Sequence, residues 1–203
     1  YFDTTGVAAI DYYVTDRFST PEDSRQKFTE QLLYLEHPRL VYEAPDYAPE
    51  PIIRESRAND IVFGSFNRPH KIVPGVVDAW SRLLRDVPES RLLLKGSSFA
   101  SGDVCANFRQ RFAACGIDKD RIEFRPASPH REMLAEYGDM DIALDTFPYN
   151  GGLTTCEALW MGTPVITMLG ERIISRQTAG MLDAVGLGQF IAQDEEEFAQ
   201  IGK

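Results

Sequence analysis

The sequence predicts an α/β protein: a parallel β-sheet with helices packed on both faces. Three observations carry this. From Ile61 onward, short apolar runs alternate with amphipathic stretches of helical length, the spacing of consecutive βαβ units. Hydrophobic residues make up 43% and charged residues 26% of the 203, enough apolar side chains for a sizeable core in a water-soluble chain. Neither an internal repeat nor a low-complexity tract interrupts the pattern.

Taken in order, residues 1–43 read as the tail of a separate unit, with a strand over Ala8–Val14. Thr20-Pro21-Glu22 has the form of an N-cap followed by proline at the first helical position, predicting a helix towards Leu32 or Leu35. Residues 44–60, "APDYAPEPIIRESRAND", carry prolines at 45, 49 and 51 and read as a linker. The start at Tyr1 without Met is what an excised fragment shows. In 61–203, "IVFGSF" is a short buried strand, and Val77, Trp80, Leu84 and Val87 mark one helical face. "RLLLKG" is the next strand, and Cys105, Phe108, Phe112 and Cys115 line a helix that stops at Gly116. "RIEFRPA" and "DIALDTF" are strands separated by a short helix over Arg131–Tyr137. "NGGLTTCEALWMG" supplies a helix, "PVITM" a strand, Ser175–Val185 a helix and "QFIA" a last strand. Asp194-x-x-Glu197 caps a final helix cut short at the end of the chain.

The formal net charge of −10, without a basic block, argues against nucleic acid as a partner. No apolar run approaches the roughly 18 residues of a membrane span, and no leader is visible. Cys105, Cys115 and Cys156 lie in apolar helical patterns and read as reduced thiols, as in a cytoplasmic protein.

A parallel sheet binds ligands beyond the C-terminal ends of its strands. The candidate loops are Asn67–Lys71, Gly96–Ser101, Ala127–His130, Tyr149–Thr155 and Met168–Ser175. Arg68, His70 and Lys71 follow a strand end, where a lysine can meet a phosphate as a point charge, although a solvated basic loop has the same pattern. Gly151, Gly152, Thr154 and Thr155 stand at a strand-to-helix turn, suited to close backbone approach or to simple capping. Glu157 has two uses: closing a capping box with Thr154, or accepting the hydroxyls of a ribose. The spacing leaves both open. Asp139-Met140-Asp141 has the D-x-D form of a metal site but precedes its strand, the wrong end of the sheet.

Together, "FGSFNRPHKIVP", "SRLLLKG", "RIEFRPASPH", "DIALDTFPYNGGLTTCEALWMGTPVITMLGE", "SRQTAGMLDAVGL" and "TTGVAAIDYYVTD" resemble the O-linked N-acetylglucosamine transferase family, in its bacterial, tetratricopeptide-associated form. The resemblance covers nearly the whole chain in order. It implies the GT-B fold: residues 1–43 end the N-terminal catalytic half, and residues 61–203 form most of a Rossmann-like, UDP-sugar-binding half. By position, Lys71 matches the lysine on the donor diphosphate and Arg68 its polar neighbour. Ser128 and His130 match the loop around the uracil. Gly152, Leu153 and Thr154 match the turn that meets the phosphates, and Glu157 matches the acid that takes the ribose hydroxyls. Met133 stands where the family often has histidine, and Leu153 where many members have threonine. The implied reaction is metal-independent transfer, with inversion, from a UDP-sugar to a protein hydroxyl. The implied partners are UDP-N-acetylglucosamine, a protein acceptor and tetratricopeptide repeats in the same longer chain. The alternatives are a non-catalytic nucleotide-binding or scaffold domain of the same fold, or another GT-B enzyme such as a UDP-sugar epimerase.

Overall fold

The computed structural model describes residues 2–51 and 61–203. Near the N-terminus, β1 (Tyr12–Asp16) and β2 (Gln31–Leu35) form a parallel pair in which Tyr13 lies opposite Leu32. The strand predicted over Ala8–Val14 therefore starts four residues later, at Tyr12. The helix predicted from Thr20 is absent, and its far end is β2. Thr20 is fully buried and shares a 2.8 Å hydrogen bond with the hydroxyl of Thr15, so its oxygen is not spent on a helix N-terminus. The Asp16 carboxylate holds the turn, accepting from the Ser19 N–H at 2.6 Å and its hydroxyl at 2.8 Å.

The larger unit runs β3 (Val62–Ser65), α1 (Pro74–Asp86), β4 (Arg91–Lys95), α2 (Gly102–Ala114), β5 (Ile122–Arg125), α3 (His130–Ala135), β6 (Ile142–Leu144), α4 (Leu153–Trp160), β7 (Val165–Met168), α5 (Gln177–Ala184), β8 (Ile191–Ala192) and α6 (Glu195–Ile201). Its six strands pair parallel in the order β5-β4-β3-β6-β7-β8. Counted from β3 as the first, this is the 3-2-1-4-5-6 order of the doubly wound, Rossmann-type sheet.

Successive strand residues serve two separate cores. Phe63, Leu92, Leu94, Leu144 and Ile166 pack with Trp80, Leu83, Phe108 and Phe198, beneath α1, α2 and α6. Their strand neighbours Val62, Leu93, Ala143 and Val165 pack with Leu134, Ala158 and Leu182, beneath α3, α4 and α5. The two-residue period of a strand sends neighbours to opposite faces, so both faces must be apolar and both are covered. Each large side chain buried this way contributes roughly 1.5–3 kcal/mol.

The helix ends follow the sequence signals. α2 stops where Gly116 takes φ +79°, a left-handed turn that any side chain would strain. Asp194 caps α6, accepting from the N–H groups of Glu196 and Glu197 at 3.0 and 2.9 Å, while Glu197 reaches back to the Gln193 N–H. The helix predicted from Ser175 begins instead at Gln177, after one tight turn over Ile173–Ser175.

The N-terminal segment is tied to the larger unit. Asp3 pairs with Arg172, Gln26 Oε1 accepts from the Ile173 N–H at 3.1 Å, and Arg176 donates to the Phe18 carbonyl at 2.8 Å. Just before the linker, Tyr42 meets the Trp160 ring edge-on at 6.1 Å, and within it Ala48 packs on the second core. The remainder of that linker, 52–60, lies outside the described residues. Among the described residues no helix is long and apolar enough to cross a membrane.

Candidate functional site

Strand order reverses between β3 and β6, which opens a crevice where their following loops diverge. The two strand ends are bound together there: the Ser65 hydroxyl donates to the Leu144 carbonyl at 2.8 Å. Beyond β6, the buried Asp145 organises the glycine turn. Its Oδ1 accepts from the Gly151 N–H at 2.6 Å and the Thr146 N–H at 2.9 Å, and its Oδ2 accepts from the Thr167 hydroxyl at 2.7 Å. Burial pushes the Asp145 carboxyl up from the ordinary range, opposed by these bonds and by the charge of Lys71. Gly151 is required by close approach: a Cβ there would lie 2.5 Å from Thr155 Oγ1 and 3.1 Å from Asp145 Oδ1.

Lys71, from the loop after β3, crosses the crevice. Its Nζ donates to the Asn150 carbonyl at 2.8 Å and to Asn67 Oδ1 at 3.3 Å, and stands 4.0 Å from the centre of the Tyr149 ring. Burial pulls its pKa below the usual lysine value, with Asp145 opposing and Arg68 adding to the shift. Arg68 is exposed beside it. The first turn of α4 faces the same crevice. Gly152 is its N-cap, and among the described residues no side chain caps its first N–H groups. The Thr154 hydroxyl meets Asn67 Oδ1 at 3.3 Å, and Leu153 is 57% exposed.

One helical turn on, Glu157 is buried and engaged on both oxygens. Its Oε1 meets His130 Nε2 at 2.8 Å, and its Oε2 lies 3.4 Å from the Tyr137 hydroxyl, whose single proton is shared with the Thr154 carbonyl at 3.1 Å. The capping box does not form, because the helix starts at Leu153 and Thr154 is already its second residue. His130 opens α3, and its Nδ1 meets the Tyr47 hydroxyl at 2.8 Å. Ser128 turns away from this pair and donates to Glu136 at 2.7 Å; Glu136 also pairs with the buried Lys95 at 2.8 Å. Met133 is half-buried against the second core.

Of the residues singled out from the sequence, Lys71, Gly152 and Thr154 converge at the crevice, and His130 and Glu157 are in direct contact. Asp145, Asn150, Gln177, Tyr137 and Tyr47 also build the site and were not singled out. Asp145 carried a weak signal, directly before the glycine turn. Tyr47 carried none, being 83 residues from His130.

The D-x-D acids are structural: Asp139 pairs with Arg125, and Asp141 accepts from the Val62 N–H at 2.8 Å, at the N-terminal edge of the sheet. Among the described residues no three His, Cys, Asp or Glu side chains gather around a metal-sized space. The three cysteines are free. A cation beside an uncapped helix N-terminus suits a phosphate, and a fixed carboxylate one turn away suits a vicinal diol.

Comparison with known proteins follows the same lines. Residues 54–203 match Glycosyl transferase family 41. A protein of Arabidopsis thaliana named "Probable UDP-N-acetylglucosamine--peptide N-acetylglucosaminyltransferase SPINDLY" is 39% identical over 99% of this chain and 22% of its own length. The "UDP-N-acetylglucosamine--peptide N-acetylglucosaminyltransferase" of Caenorhabditis elegans is 31% identical over 80% of this chain and 13% of its own. Among solved structures, a lysine-to-methionine variant of the Thermobaculum terrenum O-GlcNAc transferase superposes with a TM-score of 0.89 at 33% identity, covering 100% of this chain and 38% of that one. The chain thus spans about a fifth of the curated relatives it matches. With the family match running from residue 54 to the end and the structural likeness extending over the whole chain, this chain belongs to glycosyl transferase family 41.

Proposed function

We propose that this chain is the donor-binding region of an inverting, metal-independent glycosyltransferase. The enzyme transfers N-acetylglucosamine from UDP-N-acetylglucosamine to serine or threonine hydroxyls of proteins. In this reading residues 61–203 bind the donor, and residues 1–43 end the acceptor-side half, joined by residues 44–60. Tetratricopeptide repeats belong to the same longer chain. The names of the relatives support the donor and the acceptor class.

The observation that carries the reading is Lys71 Nζ lying on the Asn150 carbonyl of the glycine turn that leads into α4, at the point where strand order reverses. A diphosphate there meets an ammonium and open N–H groups together. As an acceptor oxygen attacks the anomeric carbon from the opposite face, the bond from that carbon to the diphosphate breaks. Negative charge then grows on the departing oxygen, and Lys71 and the α4 N–H groups are placed to stabilise it. Arg68 adds long-range attraction. Gly152, Leu153 and Thr154 offer backbone N–H groups and one hydroxyl; the leucine side chain does not remove its own N–H. His130 and Glu157 hold the nucleoside, with Ser128 on the loop around the base. The proton of the acceptor hydroxyl goes to a base outside these residues.

Calorimetry on the full-length protein tests this, with UDP as the ligand and GDP as the comparison. Lys71→Ala is expected to weaken UDP binding by roughly tenfold to a hundredfold, the worth of one or two charge-assisted hydrogen bonds. Unchanged UDP affinity in the variant overturns the site, and tighter binding of GDP overturns the choice of base.

A further inference from the structure

The linker residue Tyr47 touches the site through His130, 83 positions further along the chain. Its hydroxyl lies 2.8 Å from His130 Nδ1, and the two rings meet edge-on with centroids 5.7 Å apart. The Tyr47 backbone is held as well: its carbonyl accepts from Arg131 Nε at 3.2 Å. On the other side of the imidazole, Nε2 faces Glu157 Oε1 at 2.8 Å. A carboxylate only accepts, so Nε2 carries a proton; in the neutral imidazole Nδ1 then accepts from the Tyr47 hydroxyl. The Tyr137 hydroxyl, shared with the Thr154 carbonyl, lies 3.4 Å from the second oxygen of Glu157. Tyr47, His130 and Glu157 form one chain of hydrogen bonds, from a half-exposed tyrosine to a buried acid that Tyr137 approaches from the other side.

We infer that Tyr47 is a positioning residue for the donor nucleoside: it fixes the orientation of the His130 ring, and through His130 the aim of Glu157. The inference rests on the donor-site reading above, in which His130 and Glu157 face the nucleoside. It also ties donor binding to the linker, because Ala48 seats that segment on the second core and Tyr42, just before it, packs on Trp160. A displacement of that segment withdraws the Tyr47 hydroxyl and ring from His130 and leaves the imidazole held from the Glu157 side alone.

A double-mutant cycle on the full-length protein tests it, reading UDP affinity by calorimetry and melting temperature in parallel. Tyr47→Phe keeps the ring and its packing and deletes one hydroxyl. It is expected to weaken UDP binding about three- to tenfold, the worth of one hydrogen bond, with the melting temperature little changed. In a His130→Ala background the same substitution is expected to add nothing, because its only route to the nucleotide has gone. Unchanged affinity in Tyr47→Phe, or a loss that adds fully to that of His130→Ala, overturns the inference while leaving the donor site standing. If neither His130→Ala nor Glu157→Ala alters UDP binding, the donor reading falls and takes this inference with it.

Discussion

Asp145 Oδ1 accepts the Gly151 N–H at 2.6 Å, so a buried carboxylate at the end of β6 grips the turn that opens α4. The same side chain takes the Thr146 N–H and the Thr167 hydroxyl. Asp145→Ala orphans all of these buried donors. It is expected to destabilise the protein by about 3–5 kcal/mol, as leaving several buried donors unsatisfied at roughly 1–3 kcal/mol each does. Urea unfolding of the purified variant checks the size of the loss.

Gly151→Ala attacks the same turn through sterics. The new Cβ meets Thr155 Oγ1 at 2.5 Å and Thr154 Oγ1 at 2.9 Å, and the turn has to shift outward. Overpacking of this kind costs about 1–3 kcal/mol, and UDP affinity is expected to fall with it as the α4 N–H groups move. Equal UDP affinity in wild type and variant speaks against phosphate binding at this turn.

The Asn150 carbonyl takes two donors, Lys71 Nζ at 2.8 Å and Gln177 Nε2 at 3.2 Å. The Gln177 Oε1 is buried with no partner among the described residues. Gln177→Leu therefore deletes one hydrogen bond together with one orphaned acceptor, and the expected change is below about 1 kcal/mol. Combined with Lys71→Ala, it leaves the carbonyl bare. The double variant is expected to lose about 1–2 kcal/mol beyond the sum of the single losses. Chemical denaturation of the four proteins measures this coupling.

Glu30 ties the N-terminal segment to β2. Its carboxylate accepts from the Thr4 hydroxyl at 2.6 Å and the Thr5 N–H at 2.7 Å, and these bonds hold its pKa down from 4.5 to about 2. A depressed carboxyl pKa stabilises the folded state above the unfolded value, and the stabilisation is lost as pH falls through the folded value. The stability gap between wild type and Glu30→Gln is therefore expected to be largest above pH 4.5 and to close as pH drops towards about 2. Thermal melts across that window report it.

Much of the α/β unit was legible because its signals are local. The apolar strands, the stop at Gly116 and the cap at Asp194 depend on neighbours within a few residues and form where the sequence put them, except that "QFIA" narrows to Ile191–Ala192 behind a tight turn over Gly188–Phe190. The N-terminal region failed the same treatment. Thr20-Pro21 has a helix-start pattern, but Thr15, five residues away on β1, holds the threonine hydroxyl in a buried pair. A local preference worth about 1 kcal/mol yields to such packing.

By itself, the sequence determined the succession of strands and helices, the two-faced burial of the sheet and the loops that could carry a ligand. It also placed Lys71, His130 and Glu157 on three of those elements through family resemblance. Only the tertiary structure decided how they meet. It set the strand order that puts β3 beside β6, brought Lys71 onto the Asn150 carbonyl, and turned Glu157 from a cap towards His130 and Tyr137. It also delivered Tyr47 from the linker. The reason is range. Periodicity and capping act over one or two turns of chain, whereas these contacts join residues 20 to 83 positions apart and exist only once both cores have closed.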